Sequence, residues 1–277
     1  MGSSSVTAAT INAVTSLGNG TDGDVISDIT AVSNGQLVRL GVAATVTTRI
    51  STDSGIENVV GSDGGDYIIG SSSANSIFGG AGADYINPGL GADTITGGAD
   101  ADSIVLRETT ASADTVVFSG ATTATNGADS ITGFVVANDI LSFASVLTSG
   151  SLANGTTGTT ITLASTGALA TEGTSIAVAT NKVYVAQVAN VALIDTAAEV
   201  ITALTDTGVM DAVDVAAGAT AILVISGADS TTAAYVYGVV NDATATVGAG
   251  ELVLIGTITT DSTTLTTANF AFYRLGN

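Results

Sequence analysis

The sequence predicts an all-β chain: a flattened right-handed coil of very short strands, followed by a β-rich half with one short helix. Three observations predict it. From Gly61 to Val105 the residues repeat every nine positions, five times without a gap. Every unit has isoleucine at its eighth position, namely Ile68, Ile77, Ile86, Ile95 and Ile104. Residues 150–277 repeat little and are rich in Val, Ile, Thr and Ala, in short runs that read as strands.

The units are Gly61-Ser-Asp-Gly-Gly-Asp66-Tyr-Ile68-Ile, Gly70-Ser-Ser-Ser-Ala-Asn75-Ser-Ile77-Phe, Gly79-Gly-Ala-Gly-Ala-Asp84-Tyr-Ile86-Asn, Pro88-Gly-Leu-Gly-Ala-Asp93-Thr-Ile95-Thr and Gly97-Gly-Ala-Asp-Ala-Asp102-Ser-Ile104-Val. The first six positions carry turn chemistry, with glycine able to reach positive φ and to let backbone crowd an ion. The last three are strand-like. A β-branched residue every nine positions stacks into an apolar ladder inside the coil. A disordered acidic linker has no reason to keep that register.

The pattern G-G-x-G-x-D-x-U-x resembles the calcium-binding repeat of the RTX family of secreted bacterial proteins. The resemblance implies a parallel β-roll with two units per turn. Units one, three and five then share one edge, and units two and four the other. Calcium takes roughly six to eight oxygens, from carboxylates and carbonyls. One loop cannot supply them, whereas two stacked loops can. The implied ligands are Asp63, Asp66, Asn75, Asp84, Asp93, Asp100 and Asp102, with glycine-rich backbone at Gly80, Gly82, Gly89, Gly91 and Gly98. Asp66, Asp84 and Asp102 make the odd edge the better one, because on the even edge only Asp93 brings charge. Several ions are expected, with two or three good sites in the repeats. Asp100 in place of glycine at position four and Pro88 at the start of unit four depart from the pattern.

Composition narrows the function further. Acids outnumber bases 25 to 5, for a net charge of −20. That excludes nucleic acid as a partner, which needs Lys and Arg, and favours metal cations. The chain has no Cys and no His, which removes thiol nucleophiles, His-based triads and the usual zinc sites. Lys182 is the only lysine and has no motif around it. The acids cluster in turns, so no catalysis is expected. There is no basic and apolar leader and no run of about 18 apolar residues, so neither a cleaved signal peptide nor a membrane span is expected. Met1-Gly-Ser-Ser-Ser is either a native start or a cloning remnant.

Ahead of the repeats, Gln36-Leu-Val-Arg-Leu-Gly-Val and Ala44-Thr-Val-Thr-Thr-Arg-Ile read as strands, and Ile56-Glu-Asn-Val-Val leads into the roll. Asp22, Asp24 and Asp28 read as solvated turn acids ahead of a further calcium site. After Val105 the phase breaks. Asp114-Thr-Val-Val-Phe118 reads as a displaced sixth unit. Asp129-Ser-Ile131-Thr-Gly-Phe134 and Asp139-Ile-Leu-Ser-Phe143 resemble the segment that closes many RTX rolls, with Phe118, Phe134 and Phe143 as the cap a solenoid needs. Asp129 and Asp139 have equal claims as calcium ligands and as surface turn acids.

Beyond residue 150 the expected strands are Thr159–Leu163, Ser175–Ala179, Val183–Val188, Ala221–Ile225, Ala234–Val240, Leu252–Thr257 and Phe270–Leu275. A helix is expected from Thr196 to about Leu204, because Thr196-Ala-Ala-Glu199 fits a capping box and Val200, Ile201 and Leu204 share a face. This half is either β-sandwich-like or a continuation of the roll. Asn241–Glu251 reads as a plain hairpin connection. The end of the chain from Leu265 is either a secretion signal or a last strand. The domains expected are an N-terminal β-rich segment (1–59), the roll and its cap (60–143), and a β-rich C-terminal domain (144–277).

As a whole the chain resembles bacterial surface-layer and related type I secreted surface proteins. This implies an extracellular protein of the bacterial cell surface, secreted without an N-terminal signal peptide, whose partners are copies of itself and the type I secretion apparatus. It would fold on calcium outside the cell and assemble into a lattice or filament. The alternative is a secretion-and-folding module of a larger adhesin or enzyme. A small lectin that binds cell-surface glycan ranks last, because the chain has no tryptophan and its tyrosines read as core.

Overall fold

The computed structural model describes residues 25–29, 36–39, 49–52, 56–106, 108, 112–143, 183–188, 196–204, 210–211, 220–227, 234–242, 244, 246–261, 265 and 269–271. Four strands precede or enter the repeats: β1 (Val25–Ile29), β2 (Gln36–Arg39), β3 (Arg49–Thr52) and β4 (Ile56–Val60). The five units give β5 (Tyr67–Ile69), β6 (Ser76–Gly80), β7 (Tyr85–Asn87), β8 (Thr94–Gly98) and β9 (Ser103–Val105). Next come β10 (Thr115–Val117), a helical turn α1 (Thr123–Asn126), β11 (Asp129–Phe134) and β12 (Ile140–Ser142). The C-terminal half supplies β13 (Val183–Val188), α2 (Ala197–Leu204), β14 (Met210–Asp211), β15 (Thr220–Gly227), β16 (Ala234–Val240), β17 (Thr246–Val247), β18 (Leu252–Thr260) and β19 (Phe270–Ala271).

Successive strands alternate between two parallel sheets. One runs β1-β3-β5-β7-β9-β11 and the other β2-β4-β6-β8-β10-β12, so two units make one turn. This is an all-β parallel roll joined to a β-rich C-terminal part. The nine-residue period produces it directly. Three residues make a strand, six make the turn, and eighteen return the chain to its own sheet. In β5, β7 and β9 the central residue is buried and its neighbours are half-exposed. The buried residues are in register: Ile68, Ile86, Ile104 and Ile131 in one sheet, and Val59, Ile77, Ile95, Val116 and Leu141 in the other. Fully burying such a side chain stabilises by about 1.5–3 kcal/mol. On the outside of the odd sheet Tyr67 and Tyr85 stack, with ring centroids 4.7 Å apart.

The coil does not stop at the phenylalanines. Phe118, Phe134 and Phe143 are buried, and Phe118 stacks on Phe143, which stacks on Phe270. Beyond them β18 adds to β11 and β19 adds to β12, both parallel. The larger sheet then turns antiparallel through β18-β16-β15 and ends with β13 parallel to β15. The aromatic cluster therefore sits at the seam where the C-terminal strands extend both sheets of the roll.

The capping box of α2 is formed. Thr196 N–H and Oγ1–H donate to Glu199 Oε2 at 3.1 and 2.6 Å, and Glu199 N–H donates to Thr196 Oγ1 at 3.3 Å. Val200 and Ile201 are its buried face. The connection from β16 to β18 contains β17, which pairs antiparallel with β14. Glu251 organises it from within, accepting from Asp242 N–H at 2.8 Å and Gly248 N–H at 2.7 Å. Asp22, Asp24, Ala44–Thr48, Thr159–Leu163, Ser175–Ala179, Lys182 and 272–277 lie outside the described residues, as does the side chain of Asp28.

Candidate metal centre

The position-six residues fall into two rows, one along each edge of the roll. Asp66, Asp84, Asp102 and Asp129 form one; Asn75, Asp93, Asp114 and Asp139 form the other. After the first member of each row, every carboxylate reaches back one coil. Asp84 Oδ1 accepts from Asp66 N–H at 2.6 Å, Asp102 Oδ1 from Asp84 N–H at 2.8 Å, and Asp129 Oδ1 from Asp102 N–H at 3.1 Å. On the other edge Asp93 takes Asn75 N–H at 2.6 Å, Asp114 takes Asp93 N–H at 2.9 Å, and Asp139 takes Asp114 N–H at 3.1 Å. Backbone bonds run the opposite way, as from Tyr85 N–H to the Asp66 carbonyl at 2.8 Å. These acids are 1–4 % exposed.

The second oxygens differ along each row. At the start of the odd row it closes its own turn, Ser62 N–H and Oγ–H donating to Asp66 Oδ2, and the single side-chain oxygen of Asn75 likewise accepts from Ser71 N–H. At the far end of the even row Asp139 Oδ2 accepts from Val135 N–H at 2.7 Å. In between, Asp84, Asp93, Asp102 and Asp114 each bury an Oδ2 that has no hydrogen-bond partner. An oxygen left so costs desolvation energy unless a cation lies beside it.

Glycine at position one keeps space open next to these oxygens. A Cβ on Gly79 would collide with Asp84 Oδ2 and the Gly97 carbonyl, and one on Gly97 with Asp102 Oδ2. At position two, Gly80 (φ +123°) and Gly98 (φ +122°) lie against the carbonyls of Ser62 and Gly80, so the coils stack at backbone distance. Asp100 adopts the left-handed φ of +72°, as Gly91 and Gly82 do one and two units earlier, which aspartate tolerates better than most residues. Its Oδ2 accepts from Gly82 N–H at 3.2 Å. The loop thus keeps its shape despite the substitution. Pro88 cannot repeat the bonds that Gly61 and Gly70 donate to the Phe78 and Asn87 carbonyls, but its carbonyl still packs on Gly70. Asp63 is exposed at position three.

Burial drives these carboxyls toward the neutral form. Burial, with lesser repulsion from Asp102, Asp66 and Asp100, pushes Asp84 up to about 8 against the pull of Asp66 N–H. Burial likewise pushes Asp93 up to about 8, with repulsion from Asp114 and Glu108, and Asp129 up to about 8, with repulsion from Asp102 and Asp84. Asp102 and Asp114 rise to about 7 and Asp139 to about 6, burial being the largest cause each time.

The donor set fits calcium. It is all oxygen, it combines carboxylates with nearby backbone carbonyls, and it contains buried partnerless oxygens beside a glycine-lined cradle. Asp84, Asp93, Asp102 and Asp114 would hold the ions, which supply the positive charge that keeps these carboxylates ionised.

Two residues of this arrangement escape the nonapeptide pattern. Asp114 occupies the next place in the even row, yet stands 21 residues after Asp93 where the period asks for 18. Glu108 lies off the repeat altogether, and its carboxylate comes within 4.8 Å of those of Asp93 and Asp114. The pairing of Thr115 with Thr94 and Val116 with Ile95 places Asp114; only its D-x-V-x-F sequence hints at this, and nothing local signals Glu108.

Among the described residues no helix is long and apolar enough to cross a membrane. No curated protein matches this chain. The family described as RTX calcium-binding nonapeptide repeat (4 copies) matches residues 60–95 and 89–107, and such repeats indicate a calcium-binding, secreted protein. Residues 60–107 of this chain are therefore similar to RTX calcium-binding repeats, and residues 60–106 are wound into a parallel β-roll with their position-six residues in two buried rows.

Proposed function

We propose that the chain is a structural protein of the bacterial cell surface that folds on calcium after export and assembles with its own copies into a lattice or filament. The observation that carries this reading is the set of buried, partnerless oxygens on Asp84, Asp93, Asp102 and Asp114. A fold that buries such groups is disfavoured where calcium is scarce. A ligand bound only by the folded state stabilises it by RT ln(1 + [L]/Kd), and extracellular calcium sites work at about 10⁻⁴–10⁻³ M. The chain would therefore stay unfolded through a type I exporter and fold outside. It has no residue set for catalysis in this reading; its work is mechanical.

Assembly is supported by the ends of the sheets. Among the described residues β1 and β13 end the larger sheet, and β2 and β19 the smaller. Strand edges pair readily with further strands. Electron microscopy of the purified chain, with millimolar calcium and with chelator, tests the reading. Ordered sheets or filaments in calcium that disperse on chelation are expected. Monomers in both conditions would overturn assembly and favour a secretion-and-folding module of a larger protein.

A further inference from the structure

We propose that Asp93, a repeat aspartate, joins Glu108 and Asp114, which lie outside the nonapeptide pattern, in a three-carboxylate cation site that binds one calcium more tightly than the other repeat sites and fills first. It rests on the reading of the roll as a calcium-binding fold. Three carboxylate oxygens, one from each residue, lie within 4.8 Å of one another, the one such group of three among the described residues.

Each side chain is held by a hydrogen bond to one of its two oxygens. Asp93 Oδ1 accepts from Asn75 N–H at 2.6 Å, Asp114 Oδ1 from Asp93 N–H at 2.9 Å, and Glu108 Oε2 from Ser112 N–H at 2.6 Å. Asp93 Oδ2, Asp114 Oδ2 and Glu108 Oε1 are all buried without a hydrogen-bond partner. Asp93 and Asp114 are each 1 % exposed. Three carboxylates this close together, each with one buried oxygen that has no hydrogen-bond partner, are a preorganised site for a cation.

Charge count distinguishes it from the odd row, where, among the described residues, no three carboxylates come within that distance. Calcium affinity rises with the number of charged ligands and with site rigidity. Three negative charges also favour a trivalent ion of calcium's size. Glu108 sits between β9 and β10, where the even row stretches to 21 residues. The site thus ties the first off-period segment to the last regular coil.

Calcium titration calorimetry on the full chain tests this, comparing the native protein with Glu108→Gln and Asp84→Asn. The native protein should show one ion bound roughly tenfold or more tighter than the rest. Glu108→Gln should lose that tight ion and keep the weaker ones, while Asp84→Asn should keep the tight ion and lose affinity among the weaker. Lanthanum should displace one calcium per native chain at stoichiometric concentration, a readout that needs no variant to fold. Superimposable curves for Glu108→Gln and the native protein, or the lack of a single tight lanthanum, would overturn the site and leave the roll intact. Failure of every protein to take up calcium would overturn the roll reading itself.

Discussion

In β5, β7 and β9 one residue in three is buried, whereas β15 buries Ala221, Ile222, Leu223, Val224 and Ile225 in succession. The two regions share one sheet, but they hold together differently. Each coil has a single apolar side chain per strand and depends on buried carboxylates that need a counter-charge. The strands β15 and β16 bury continuous runs of mostly apolar residues, and β18 buries Leu252, Ile255 and Ile258. A repeating motif can therefore build a long coil from little hydrophobic material, at the cost of making its stability conditional on the solvent.

Chelation should separate the two regions most sharply. A site held at a hundred times its Kd contributes about 2.7 kcal/mol, so stripping several ions should remove hydrogen-exchange protection over residues 67–105 while residues 220–225 keep theirs. Equal loss in both regions would erase the contrast. pH acts on the same groups. A carboxyl held above its unfolded value of 3.8 binds its proton more readily in the folded chain. Its contribution is fully present below about pH 4 and is lost as pH rises through about 7 to 8. In chelator, the melting temperature should fall between about pH 5 and pH 8. In calcium the trend should reverse, because the ligands must be deprotonated.

Ile86→Ala and Leu223→Ala should each cost about 2–5 kcal/mol by denaturant melt, but only Ile86→Ala should also shift the calcium titration. Gly79→Ala places a methyl group against Asp84 and the Gly97 carbonyl and should cost about 1–3 kcal/mol. Gly250→Ala meets nothing within 4 Å and should stay within about 0.5 kcal/mol. A further small effect is confined to the C-terminal half. Glu199→Ala opens the capping box of α2 for about 0.5–1 kcal/mol and should leave calcium affinity unchanged.

Sequence revealed the roll because its period encodes strand, turn and core together. Ile68 through Ile104 could be placed in two ladders without a structure. Three things were hidden. The steps of 27 residues from Asp102 to Asp129 and 25 from Asp114 to Asp139 keep spatial register while breaking sequence register. The even row is longer than the repeats suggest for that reason. The pairing of β18 with β11 joins residues more than a hundred positions apart, and no local pattern reports such a contact. Glu108 converges on Asp93 through chain return alone. The capping box at Thr196, by contrast, is wholly local and was legible.

The backward reach of each aspartate gives the roll a direction. Asp102 grips the amide of Asp84, and Asp84 grips that of Asp66, so each turn is latched by the one that follows it. Damage to one latch loosens the interface between two coils, while the backbone bonds that run the other way still hold it. A rod built this way should yield under tension one coil interface at a time.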